Sequence, residues 1–447
     1  MSATSTAIIT PPRIEAGLFL HRPDVLRPVS FRLAERQTTS AMRYRSSFLL
    51  IWLAFALVTS TLLPTRSFAE QTVSDWLGVA NAQLAQGKPE RALLIFGEIA
   101  SRHPEFSPAQ AGLQQSFRKL GSVRRTEAFL RYALAKDPKH EGALLAAWQA
   151  LDRAHPLRFS ATASILPSSN VDHVASERYL VTDFGTFLIK DGGNETSGLG
   201  LGYGANLDWF VQPRPGHRIR FRASYAGSWY HTATLRYFEP GLAVQYEHLG
   251  RRGPWSVEAF VRDRRYGGGS QDITSDNLTR GVRFAKAWRS VAGGHTVFRL
   301  GGEYASYGEK SYLSGPRYYV DLARRTRVGR RGALSYGLRL ERAVPRTDYH
   351  RYSGAELRVG FERPLIAGVR GGLSLSYGER RYDAAFPIVG VHRRDRAASL
   401  GLSLELKRVK ILGQTPRISC TARRTRSNVA LYTTNSVDCA FSLKLDF

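Results

Sequence analysis

The sequence predicts α + membrane β architecture: a short tetratricopeptide-like helical domain, then a 14-stranded antiparallel transmembrane β-barrel. Three observations carry this. From about Leu157 to Phe447 the chain is a row of short runs alternating apolar and polar. Upstream of them, helix-breaking residues recur at a fixed interval. Further upstream, one apolar run follows a basic flank.

Residues 1–41 are mixed, polar and basic, with Pro11-Pro12 and no sustained period. They read as an upstream extension. Met42-Arg-Tyr-Arg45, the apolar run Phe48 to Leu63 and Pro64 to Ala69 then have the parts of a signal peptide: basic start, apolar middle, small-residue cleavage site. The run is about 16 residues, short of the ~20 needed to span a bilayer. The expected boundaries are therefore 1–41 extension, 42–69 signal peptide, 70–156 helical domain and 157–447 barrel.

The helical domain rests on spacing. Gly87 recurs at Gly121 and Pro104 at Pro138, each 34 residues on. That is the tetratricopeptide period. Glycine closes the first helix of each unit, where a left-handed cap needs no Cβ. Proline ends the second, because it cannot continue a helix. Two units and a final helix, Lys139 to Arg153, fit between Thr72 and Pro156. So few repeats need a neighbour to lean on. A groove for an extended peptide is the favoured reading; a packing domain or plug without ligand is the other.

The barrel rests on parity. In Ser436 to Phe447, Phe441, Leu443, Leu445 and Phe447 share one face, and Ala440, Ser442, Lys444 and Asp446 the other. Such strands suit lipid outside and water inside. Runs begin near Leu157, Thr196, His217, Tyr237, Pro254, Asn277, Gly294, Pro316, Gly332, Tyr352, Val369, Arg396, Thr415 and Ser436. Their even number returns both ends to one side. Connections alternate between tight turns, such as Pro213 to Gly216, and longer loops, such as Leu166 to Asn194. Short periplasmic turns and long outer loops give that rhythm. The mean hydropathy, −0.28, is what such alternation produces.

Net charge is +27, carried mostly by arginine. Arg218, Arg220, Arg222, Arg283, Arg299, Arg339 and Arg358 fall on the lumen parity, as do Glu258, Glu303, Glu341, Glu356, Glu379 and Glu405. Mixed rows can pair and stiffen the wall; they can also meet a polar passing polypeptide. Arg251, Arg252, Arg330, Arg331, Arg393 and Arg394 sit in turns and loops, where lipid phosphates lie. Nucleic acid does not fit a secreted barrel. Cys420 and Cys439 fall opposite each other on the last two strands, in an oxidising compartment. A cross-strand disulfide is one reading, and two small apolar residues is the other. His173, His231, His295 and His392 are scattered, and no Gly-x-Ser-x-Gly elbow occurs. The sequence offers no catalytic constellation, metal site or cofactor loop.

Two short segments carry a resemblance: Leu166-Pro-Ser-Ser-Asn-Val-Asp172, and Arg426-Ser-Asn-Val-Ala-Leu-Tyr432. With Phe441 to Phe447 and the order signal peptide, helices, barrel, the chain resembles the surface lipoprotein assembly modifiers (Slam proteins) of Gram-negative bacteria. The motif positions are Pro167, Ser169, Asn170, Ser427, Asn428, Leu431 and Tyr432. The resemblance implies an outer-membrane protein, helical domain in the periplasm, that translocates or displays substrate proteins, typically surface lipoproteins. It implies no cofactor and no covalent chemistry. The helical domain would receive the substrate or its periplasmic chaperone, and the barrel would form or assist the path. The aromatic end at Phe447 resembles the signal read by the barrel-assembly machinery, so Phe447 is assigned to insertion. Outer-membrane lipid is the remaining partner. The alternatives are a polysaccharide exporter, which also joins tetratricopeptides to a barrel, and a passive anion-preferring porin.

Overall fold

The computed structural model describes residues 73–446 apart from 137, 190–191, 233–234, 251, 268–274, 290–293 and 330. The expected extension, the expected signal peptide and Phe447 lie outside the described residues.

Among the described residues, five α-helices come first: α1 Val73–Ala85, α2 Pro89–Arg102, α3 Ser107–Leu120, α4 Val123–Lys136 and α5 Glu141–Ala154. The starts of α2 and α4 are 34 residues apart, as are those of α3 and α5. Prolines open α2 and α3, where their missing N–H costs nothing. Gly87 and Gly121 follow α1 and α3 with φ of 70° and 95°, a left-handed backbone that a side chain would strain. The core is built from Leu93, Phe96, Leu113, Leu144, Trp148 and Leu151, all fully buried. The stacking is not a simple row. α5 packs chiefly on α2. Gly97 permits that approach, since a Cβ there would strike the Ala143 carbonyl.

Sixteen strands follow: β1 Leu157–Ser168, β2 Tyr179–Thr182, β3 Gly185–Leu188, β4 Gly198–Arg214, β5 His217–Tyr230, β6 Tyr237–His248, β7 Trp255–Tyr266 and β8 Asn277–Arg289. Then come β9 His295–Tyr307, β10 Gly315–Val328, β11 Gly332–Ala343, β12 Tyr352–Ile366, β13 Val369–Ala385, β14 His392–Leu406, β15 Arg417–Ser427 and β16 Thr434–Asp446. All but β2 and β3 form one closed antiparallel barrel of 14 strands. β1 closes it, pairing with β4 on one side and with β16 on the other, from Ser160↔Asp446 to Ser168↔Asp438. Closure leaves no edge strand with unpaired backbone groups, which a bilayer requires.

The hairpin β2–β3 stands in the long β1–β4 loop. It is absent from the parity reading, because Tyr179-Leu-Val-Thr182 does not alternate. The twelfth barrel strand starts at His392, four residues before the expected Arg396. Its arginine-rich start hides the parity.

The outer face is apolar: Leu201, Leu242, Leu338, Leu357, Leu375 and Leu402 are all exposed. Aromatic residues gather near both ends. Trp209 stacks on Phe221 at 5.2 Å near the helical side, and Tyr203 stacks on Tyr225 at 5.9 Å toward the other. These are the interfacial girdles of a membrane barrel. An even strand count puts both ends of the barrel beside the helices, on the side of the shorter turns. That side is the periplasm.

Candidate functional site

The inner wall is a lattice of shared charges. Arg220, Arg222, Arg283, Arg299, Glu303, Arg339, Glu341, Glu356 and Arg358 all project inward. Asp208 holds Arg222 at 2.7 Å and Arg220 at 3.9 Å. Glu258 holds Arg220 at 3.5 Å and Arg283 at 3.2 Å. Glu239 lies between Arg264 at 2.7 Å and Arg262 at 3.8 Å. Glu303 bridges Arg262 and Arg317. Asp321 bridges Arg299 and Arg358. Glu341 bridges Arg380 at 2.9 Å and Arg339 at 3.6 Å. Each of these carboxylates holds two arginines, so guanidinium is in excess. Aromatic rings bed the surplus: Arg283 lies 3.9 Å from the Phe260 centroid, and Arg339 lies 4.4 Å from Tyr319. Glu356 lines a small cavity of about 50 Å³ with Arg339, Arg380, Asp395 and Arg423.

Two placements correct the parity reading. Glu379 shares the parity of Tyr377 and faces outward, paired with Arg381, Arg394 and Arg396. Arg393 is not a lipid-facing loop residue. It is 3% exposed and turns inward onto Asp395 at 2.6 Å. Starting β14 at His392 places Arg393 on the inward face of that strand, whereas Glu379 follows the outward parity of Leu373, Leu375 and Tyr377 on β13.

At the periplasmic end the helices are held against β1, β5 and β6 through a second charge cluster. Arg218 on β5 reaches Glu127 of α4 at 2.8 Å, Asp152 of α5 at 3.2 Å and Glu247 of β6 at 3.4 Å. Arg158 on β1 reaches Asp152 at 2.5 Å and Glu127 at 2.6 Å. Arg131 of α4 adds a contact to Glu247 at 3.3 Å. Buried charges persist only when paired this densely. Apolar contact accompanies them. Leu249, in the β6–β7 turn, is buried in the helical core, and Arg218 lies 3.8 Å from the Phe210 ring. Burial pushes the Asp152 carboxyl up to about 6, opposed by Arg218 and Arg158 and reinforced by Glu127. Burial also raises Glu127, yet Arg218, Arg158 and Arg131 together hold it below its ordinary range.

At the outer mouth loops pack on one another, and both short motifs lie in or beside that packing. Pro167, the penultimate residue of β1, lies opposite Leu199. Ser169 extends the seam: its N–H donates to Val437 O at 3.0 Å, and Val437 N–H donates to Ser169 Oγ at 2.8 Å. Asn170 is fully buried. Its Nδ2 donates to Val174 O at 3.2 Å and Asn435 O at 3.0 Å, while its Oδ1 accepts from Val174 N at 3.1 Å. Ser427 Oγ accepts from Val429 N at 3.1 Å. Asn428 ties the β15–β16 loop to β14, accepting from Arg394 N at 2.7 Å and donating to His392 O at 2.8 Å. Tyr432 is buried under the Arg393 guanidinium and edge-on to Phe386, and Leu431 packs on the same cluster. Ala175, Leu180, Ile189 and Val429 complete this apolar knot. His350 borders it, stacked on Tyr312 and tilted against Tyr349. Burial, aided by Arg393, pushes its imidazole down to about 4.

Cys420 and Cys439 are directly paired between β15 and β16 and joined as a disulfide, with Cα atoms 4.0 Å apart. Among the described residues, no group of three His, Cys, Asp or Glu side chains is arranged to hold a metal.

A family model described as surface lipoprotein assembly modifier matches residues 158–447, the whole barrel from the second residue of β1. The chain belongs to the surface lipoprotein assembly modifier family. No curated protein sequence matches it. Solved outer-membrane barrels are similar in structure. OmpT of Vibrio cholerae is 7% identical, with a TM-score of 0.34, covering 65% of this chain and 99% of its own. OprB of Pseudomonas putida is 7% identical, with a TM-score of 0.37, covering 65% and 94%. As a surface lipoprotein assembly modifier with a closed barrel, the protein resides in the outer membrane. The motif residues that sequence singled out meet at the outer closure. Arg218, Glu127, Asp152 and Glu247, which cover the inner mouth, carry no motif. Only their charge, set against an otherwise apolar core, marks them.

Proposed function

We propose that the protein moves substrate proteins, surface lipoproteins by class, across the outer membrane. The helical domain receives the substrate or its periplasmic chaperone, and the barrel forms or assists the path. The observation that carries this reading is the double closure. At one end of an arginine-rich lumen a separate helical unit is ion-paired to the barrel, and at the other the loops interlock. A passive porin has no use for a helical cover held by buried ion pairs. A translocator does, because its path must stay shut until the substrate binds. The tetratricopeptide-like spacing supports peptide recognition by the helices.

The test is a strain expressing the chain without residues 73–154. The barrel should still enter the outer membrane, while one surface-displayed protein disappears from the surface proteome. An unchanged surface proteome with loss of an exported polysaccharide would overturn the reading.

A further inference from the structure

The wall from β12 to β16 carries a concave groove of about 690 Å³ on its outer, membrane-facing side. That volume lies within the ~300–1,000 Å³ of small-ligand sites. Its parity is outward, shared with the exposed Leu357, Leu375, Tyr377, Leu400 and Val437. The groove grades along the strands. One register row is Val359, Leu375, Leu400, Ala422 and Val437, wholly apolar. Two residues outward, the row is Leu357, Tyr377, Ala398, Arg424 and Asn435. Two further, Glu379, Arg396 and Arg426 stand side by side. Small residues at 398 and 422 make the hollow between bulkier neighbours.

Charge chooses the occupant. Arg381, Arg394, Arg396, Arg424 and Arg426 face outward here, against Glu379 and Glu195, the latter accepting from Ser176 Oγ at 2.6 Å. Arg424 and Arg426 are exposed and have no carboxylate within ion-pair distance among the described residues. A guanidinium on the lipid face costs little near the interface, the depth at which lipid phosphates lie. Arginine forks match phosphate oxygens in particular. An uncharged acyl anchor would fill the apolar row and leave the arginines unmet.

We propose that this groove binds a phosphate-bearing, multiply acylated lipid of the outer leaflet, its acyl chain on the Leu375–Leu400–Val437 row and its phosphate on Arg424, Arg426 and Arg396. The site touches the outer closure directly: Asn435 lines it and also accepts the hydrogen bond from Asn170. A seated lipid therefore braces the loops packed at the outer mouth. This inference rests on the barrel in its membrane, not on what the barrel transports.

The experiment uses the full chain, purified in mild detergent and analysed by native mass spectrometry. The probes are diphosphorylated lipid A, its dephosphorylated form and a triacylated cysteinyl peptide. One diphosphorylated lipid should be retained per chain. Removing the phosphates, or introducing Arg424→Ala with Arg426→Ala, should weaken retention by about tenfold or more, the scale of one charge-assisted hydrogen bond. Arg424→Lys with Arg426→Lys, which keeps the charge, should retain binding. Heat-modifiable gel mobility checks that each variant is a folded barrel. Equal retention of the dephosphorylated lipid, or displacement of lipid A by the triacylated peptide at equal concentration, overturns the proposal.

Discussion

Asp152 and His350 give the two mouths opposite responses to acid. A buried, docked Asp152 titrates near 6, above the ordinary 3.8, so the docked state binds a proton more readily than the freed helix. Its contribution to docking is full below 3.8 and is lost as pH rises through 6. Between pH 7 and 5 the helical cover should therefore tighten, as read by spin-label distances between α4 and β6. Asp152→Asn should remove that dependence. His350 is the reverse. Its pKa is about 4 in the closure against the ordinary 6.5, so its contribution is present above 6.5 and lost as pH falls through 4. Acidification from pH 7 to 4.5 should speed proteolytic nicking of the β1–β4 loop, and His350→Phe should blunt the effect. Burial ranks the arginines too. Arg218, at 3% side-chain exposure, meets three carboxylates, so Arg218→Ala should weaken docking by about 3–5 kcal/mol. Arg131, at 39%, is worth about 0–1 kcal/mol. The same spin-label distances, followed in denaturant, separate the two.

At the scale of elements, Gly97 sets the α2–α5 contact. Gly97→Val should force the helices apart and cost about 1–3 kcal/mol, seen as an earlier melt of the helical circular dichroism signal. The strands were legible because a barrel wall has water on one side and lipid on the other, which enforces a period of two. Starts at Leu157, His217, Tyr237, Asn277, Gly332, Tyr352 and Val369 coincide with those expected. Where polarity fails to alternate, legibility fails. Arg393-Arg394-Asp395-Arg396 is charged on both faces, so the start of β14 and the side chosen by Arg393 were misread. The β2–β3 hairpin answers to loop packing through Leu180, not to a bilayer. The 34-residue spacing located the helices, while the seating of α5 on α2 depends on a missing Cβ opposite Ala143 and leaves no periodic trace. The motif segments were visible as segments. The bond from Asn170 of the first segment to Asn435 of β16, three residues past the second, arises from barrel closure, which brings the first and last strands together.

For the whole molecule, the charge lattice and the two covers predict a barrel that is shut at rest. In planar bilayers the full chain should show low, sparse conductance. Removing residues 73–154 should raise it, because one cover is gone. A large steady conductance from the full chain would instead mark a porin.

The sharing of six inner-wall carboxylates, each between two arginines, makes the wall unequal in its tolerance of mutation. Losing an arginine such as Arg299 leaves Asp321 still held by Arg358. Losing Asp321 strands two cations in a confined space, where an unpaired charge is costly. In a saturation scan of surface display, acidic positions 208, 239, 258, 303, 321 and 341 should accept few replacements, while their arginine neighbours accept many. The scarce acids, not the abundant arginines, are then the wall's points of fragility.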